Sequence, residues 1–288
     1  MKKNLIDQRQ NKNWQPLMMI HHQALNGIKI IIVVHMMLYL QFCSTYGLPS
    51  QKKWMKIFQE SNQYLFYIAW WIPKISEGDE YSWVAHDNVQ TLLHESDPVL
   101  FPSGHASSSV FALATQMFYP VYKVSQLHLQ CSHCNHTIMI NSNCIGILMH
   151  VARNATGSIS QILENHMYHW SQQTCGNCNA LLETKINFNE THKIYAFDVT
   201  DRNVTLRRTV KIQGLVWATT FHLKGLVYHG GYNFTCWIID ESGNIWFHDG
   251  ITTGRMSTRE GKIGSISQPN LKECKNEQLC LVIYGHQS

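Results

Sequence analysis

Two short cysteine turns constrain this chain more than any other feature: Cys131-Ser-His-Cys134 and Cys175-Gly-Asn-Cys178. A Cys-x-x-Cys turn aims two thiolates at one point. A second such turn completes a tetrahedron of soft donors, the geometry zinc accepts most readily. The spacing assigns Cys131, Cys134, Cys175 and Cys178 to one structural Zn2+. Four thiolates leave no open position for water, so the metal holds the fold and does no chemistry. The bland alternative is four ordinary cysteines or two vicinal disulfides. His133 and His136 could replace a thiolate, but four cysteines already close the site, and Cys144 reads as a small buried apolar residue. Nine cysteines at uneven spacing do not make a disulfide scaffold, and the odd count leaves one over, which points to a reducing compartment, cytoplasmic or nuclear. Five glycosylation sequons, at Asn135, Asn154, Asn189, Asn203 and Asn233, would matter only in a secreted chain.

The sequence around these turns divides into three textures. Residues 1–26 are polar and lack an apolar period, which predicts a disordered segment. Over 27–120 the apolar residues fall at helical spacing: Trp54, Ile57 and Phe58, then Tyr64, Leu65, Tyr67, Ile68 and Trp71. Gly27 to Phe42 is apolar but carries Lys29 and His35 and is short of the roughly 20 residues a bilayer demands, so it reads as a buried helix, with a signal anchor as the alternative. Asp87 precedes a second helical run, Ser96-Asp97-Pro98 a turn, and Ser107 to Ser109 the start of a third helix. Over 121–215 the runs shorten and alternate, as in Tyr122 to Leu129, Ile194 to Val199 and Val204 to Val210, which predicts strands. Over 216–288 further strands follow, with a hairpin at Ser242-Gly243-Asn244. Helices first and an antiparallel sheet last make an α+β chain. Its net charge of +4 is spread without a basic run, so nucleic acid is not an expected partner, and no membrane is expected either.

Within Leu223 to Gly250, a His-Gly turn, an aromatic hairpin and an aspartate after Trp-Phe-His follow one another. In this order they resemble the histidine box of the ubiquitin-specific proteases, cysteine peptidases with a papain-like fold. His229 falls at the His-x-Gly position, Trp246 at the tryptophan and Asp249 at the acid that orients the catalytic histidine. That family also carries a β finger with a zinc ribbon between its helical part and this box. The resemblance covers roughly residues 30 to 288 and is closest to divergent, shorter members with Phe-Thr after the histidine. It implies one domain over 27–288, with a helical thumb (27–120), zinc-ribbon fingers (121–215) and a β palm (216–288). The implied partner is ubiquitin or a ubiquitinated protein, held between fingers and palm.

The same resemblance places Asn233 where the general base should stand, and an amide has no proton-accepting nitrogen at neutral pH. The helix expected over Ile30 to Phe42 has no cysteine at its start, where a helix N-terminus would lower a thiol pKa, and Cys43 lies at the opposite end. The expectation is a catalytically impaired domain that keeps Asp249 as a remnant. It is either a true pseudo-enzyme or a truncated or shifted reading of a gene that encodes the cysteine box elsewhere. Two readings compete with it: an active thiol isopeptidase using Cys43, His229 and Asp249, and a zinc-ribbon interaction protein unrelated to ubiquitin. The pairs His21-His22 and His166 with His169 lack a third ligand and read as surface residues, and Tyr64 to Trp71 reads as core. Ser103 to Ser107 lacks the G-x-S-x-G elbow of a serine hydrolase.

Overall fold

The computed structural model describes residues 55–60, 62–75, 80–103, 110–118, 125–142, 148–150, 156–188, 193–213, 218–230, 233–249, 252–253 and 257–286. The expected helix over Ile30 to Phe42, Cys43, Cys144 and the serines at 107 to 109 lie outside these residues. Three helices come first: α1 (Gln63–Ile75), α2 (Glu80–Ser96) and α3 (Val110–Phe118). On α1 the inward stripe is Tyr64, Leu65, Ile68, Ala69 and Trp71, while Phe66 and Trp70 face outward, so the aromatic run is core on one side only. Asn62 starts the helix: its Oδ1 accepts from the backbone N–H groups of Tyr64 and Leu65, each at 3.0 Å. Its Nδ2 donates to the Met117 carbonyl at 2.6 Å and so ties α1 to α3. α2 begins at Glu80, seven residues ahead of the start expected at Asp87. Asp87 sits inside the helix, with its carbonyl taking the Thr91 hydroxyl.

The strands form two larger sheets. The nine-stranded sheet runs β13 (Thr258–Lys262), β12 (Asn244–Asp249), β11 (Asn233–Ile239), β10 (Ala218–Gly230), β15 (Glu277–His286), β7 (Ile194–Asp198) and β3 (Leu148–His150). In addition, β9 (Thr209–Gln213) pairs with β10 and β14 (Glu273–Cys274) with β15. Both faces are covered. One packs on the helices through Val227, Phe234, Cys236, Ile238, Leu281 and Ile283. The other builds a second core from Leu226, Tyr228, Trp237, Phe247, Val282 and Tyr284. Burial on both faces explains why Leu223 to Tyr228 reads as a continuous apolar run interrupted only by Lys224 and Gly225. The β11–β12 hairpin turns at Asp240 to Gly243, where Gly243 has φ 75° and the Asp240 carboxylate accepts from Asn244 and Trp246.

The other large sheet has the order β2-β1-β6-β5: β2 (Thr137–Ser142), β1 (Ser125–Cys131), β6 (Leu181–Phe188) and β5 (Tyr168–Thr174). Two expectations are corrected here. The stretch expected to be β throughout contains a helix, α4 (Ile159–Met167), opened by a reciprocal capping box: Ser158 N–H donates to Gln161 Oε1 and Gln161 N–H to Ser158 Oγ. The single strand expected over Val204 to Val210 is broken into β8 (Val204–Thr205) and β9. Between them the Gln268 side chain takes both the N–H and the carbonyl of Leu206, and the Arg207 carbonyl accepts the Tyr284 hydroxyl. No helix among the described residues is long and apolar enough to cross a membrane.

Replacing Asn62 by Ala removes the cap and leaves the buried Met117 carbonyl without its side-chain donor. We expect a cost of about 2–3 kcal/mol, read as a lower midpoint in urea with an unchanged slope. A loss below about 0.5 kcal/mol would show that Asn62 does not bear this joint.

Candidate functional site

The four cysteines predicted as ligands converge. Their sulfurs all lie within 4.8 Å of one another, with Cys131 to Cys178 at 3.4 Å and Cys134 to Cys175 at 3.5 Å. Four sulfurs at a tetrahedral Zn–S distance would stand about 3.8 Å apart, so this set could hold a metal ion with little movement. Each turn is a closed loop of backbone. Cys131 N–H reaches the His136 carbonyl and Asn135 N–H the Cys131 carbonyl; Cys175, Asn179 and Ala180 repeat the pattern. Both turns need a residue with positive φ just past the second cysteine, and both have asparagine there, Asn135 at 58° and Asn179 at 59°. The four thiols share their protons unevenly: the Cys134 backbone N–H brings Cys131 down to about 6, while Cys131 in turn holds Cys178 up at about 12 and Cys175 raises Cys134. His133 and Asn135 are exposed, and Cys131, Cys175, Leu129 and Leu182 make up the small core beneath the turns.

In the histidine-box region, register decides which residues meet. Tyr228, Thr235 and Asp249 are consecutive partners across β10, β11 and β12, so they share one face of the sheet, that of the second core. His229 pairs with Phe234 and stacks on its ring at 4.4 Å, on the opposite face. Strand alternation therefore separates His229 from Asp249, which opposes the isopeptidase set that would join them. Asn233 begins β11 opposite Gly230 and stands two positions ahead of Thr235. Asp249 is buried. Its carboxylate accepts the Thr252 hydroxyl, its N–H donates to Thr253 Oγ1, and its carbonyl accepts the Thr253 N–H. Trp246 donates to Asp240 at 3.1 Å and steadies the hairpin.

The structure adds a residue that sequence reasoning missed, Glu277. It is the first residue of β15, after a turn in which Lys275 and Asn276 both have positive φ. Its carboxylate accepts the Thr235 hydroxyl in a short hydrogen bond, and its Cγ would lie 2.7 Å from a Cβ added at Gly230. Gly230 is thus required by close approach. Burial raises the Glu277 pKa, the Thr235 hydroxyl opposes this, and the Asp249 charge adds to the rise. Nothing in the sequence joins Glu277 to Thr235, because the β10–β11 and β10–β15 registers together bring them close.

No family model matches the chain, and no curated protein matches it. Solved structures do. A chain of the SAGA DUB module Ubp8/Sgf11/Sus1/Sgf73 bound to monoubiquitin superposes with TM-score 0.53 at 10% identity, covering 99% of this chain and 75% of that one. The Ubp8-Sgf11-Sgf73-Sus1 module gives 0.53 at 10% identity with 99% and 73% covered, and a yeast SAGA DUB module gives 0.51 at 10% identity with 99% and 75% covered. The fold is therefore similar to that of these DUB-module chains, and it carries a four-cysteine cluster that could hold a metal.

A carboxyl whose pKa is raised on folding adds stability below its unfolded value, and that stability is lost as pH rises through the folded value. Glu277→Gln keeps an acceptor for Thr235 and removes the charge. Discounted for solvent screening, the variant should melt about 1–2 °C above the parent at pH 7.5 and equal it at pH 4. A melting difference that does not change with pH would contradict this assignment.

Proposed function

We propose that this chain is a ubiquitin-specific-protease-like domain that binds ubiquitin or a ubiquitinated protein between its finger sheet and its palm sheet and is catalytically impaired. The observation that carries the reading is the fold likeness, over nearly the whole chain, to a module solved with monoubiquitin bound. Impairment rests on Asn233 at the base position, since an amide cannot take a thiol proton. Asp249 is the remnant of the orienting acid. Cys131, Cys134, Cys175 and Cys178 hold one structural Zn2+, which keeps the fingers in shape for the partner. Thiolate ligands favour a reducing compartment, cytoplasmic or nuclear.

The test is a titration with plain ubiquitin, run beside incubation with ubiquitin bearing a C-terminal thiol-reactive warhead. Saturable binding without a covalent adduct is expected. An adduct mapped to Cys43 would establish the active isopeptidase reading, and absence of both binding and adduct would leave an interaction module unrelated to ubiquitin. Asn233→His serves as the companion variant. It restores an imidazole without supplying a nucleophile, so turnover of a fluorogenic ubiquitin substrate should stay at background. Turnover in that variant would reveal a working thiol and overturn impairment through two missing groups.

A further inference from the structure

The four thiols form one set whose sulfurs all lie within 4.8 Å, and two contacts in that set join one turn to the other. Cys131 faces Cys178 at 3.4 Å and Cys134 faces Cys175 at 3.5 Å. We propose that the finger is a redox device: in metal-free protein a peroxide oxidises these thiols to two cross-turn disulfides, Cys134–Cys175 and Cys131–Cys178, which replace the metal as the tether between the two turns. This rests on the reading of the four cysteines as a metal site and adds its regulation.

Exposure sets the order of events. Cys134 is exposed, Cys178 half-buried, and Cys131 and Cys175 buried. A peroxide reaches Cys134 first. Cys134 gives up its proton and its sulfur attacks one peroxide oxygen, the O–O bond breaks, and Cys134 becomes a sulfenic acid as one water leaves. Cys175 then attacks the Cys134 sulfur and displaces the hydroxyl as a second water. Sulfur loses two electrons and the peroxide gains them. A second equivalent takes Cys178 and Cys131 through the same steps. A small molecular thiol reverses both bonds by exchange.

The pairing matters because of what each bond closes. A disulfide within one Cys-x-x-Cys turn spans three positions and leaves the two turns free to separate. The cross-turn bonds span 47 and 41 positions and join β1 to the turn before β6. Loops of that size are where a cross-link restricts the unfolded chain most. Reaching a bonded S–S separation of about 2.05 Å asks each pair to close by roughly 1.4 Å. The remaining described cysteines do not compete. Cys236, Cys274 and Cys280 are buried in the palm cores and lie outside the four-sulfur set.

The experiment uses the full chain, stripped of metal with a chelator and treated with hydrogen peroxide, then alkylated and mapped by peptide mass spectrometry. Peptides linking Cys134 to Cys175 and Cys131 to Cys178 are expected. Trypsin should cut the finger about tenfold more slowly in this form than in reduced, metal-free protein, and dithiothreitol should abolish the difference. In Cys134→Ser the Cys131–Cys178 peptide should survive alone. Links within each turn, or sulfinic acids without links, would overturn the proposal. A parallel titration with Co2+, read by thiolate-to-cobalt absorption, keeps the two ideas apart. If cobalt is not bound, the metal reading fails while the map still decides the disulfides; if cobalt is bound and the map shows in-turn links, only the redox proposal fails.

Discussion

The pairing of β10 with β15 is the constraint on which the rest of the structure depends. Their register sets Leu226 opposite Val282 and Val227 opposite Leu281, and alternation sends the first pair into one core and the second into the other. A slip of one residue would exchange the two faces and strip both cores together. The register shifts between Leu223 and Gly225 and between Val227 and Tyr228 bend this strand of 13 residues and add to its twist. Two tyrosine hydroxyls secure the same strands to the loops around them, Tyr228 to the Leu271 carbonyl and Tyr284 to the Arg207 carbonyl. The helices, the β11–β12 hairpin and the carboxylate of Glu277 are all positioned from this pair.

The finger sheet is built under a different economy. Among the described residues, Leu129, Cys131, Cys175 and Leu182 pack together beneath its turns, with Cys178 and Ala180 against them. Two of the four core residues are cysteines whose thiols face the opposite turn. The thiols of the two turns therefore meet at one point, and a metal held there would join β1 to the turn before β6.

Much of this was legible in the sequence, and the reason differs by element. The cysteine turns were readable because a metal site writes its geometry into spacing, and the apolar run of β10 because burial on both faces writes itself into composition. The capping box at Ser158 and Gln161 was equally plain, yet it lies in a stretch dominated by alternating residues, and the strand pattern outweighed it. The break at Leu206 left no local trace. It exists because Gln268, 62 positions away, supplies the hydrogen bonds a strand neighbour would have given. Glu277 belongs with Leu206: its place beside Thr235 and Gly230 follows from register, and register is a property of two strands.

Asp249 has partners that account for its place without any imidazole beside it. In a triad its carboxylate would orient an imidazole, and the sequence offers an amide at that place. Yet the same carboxylate accepts the Thr252 hydroxyl, and the Asp249 backbone closes the turn to Thr253 from both its N–H and its carbonyl. A buried carboxylate with these partners holds the end of β12 with or without a histidine nearby, and an uncharged replacement would leave the Thr252 hydroxyl and the turn poorly satisfied. The presence of Asp249 is therefore explained by folding alone and does not argue for activity. Residue 233 begins β11 opposite Gly230, two positions ahead of Thr235, whose register partner on β12 is Asp249.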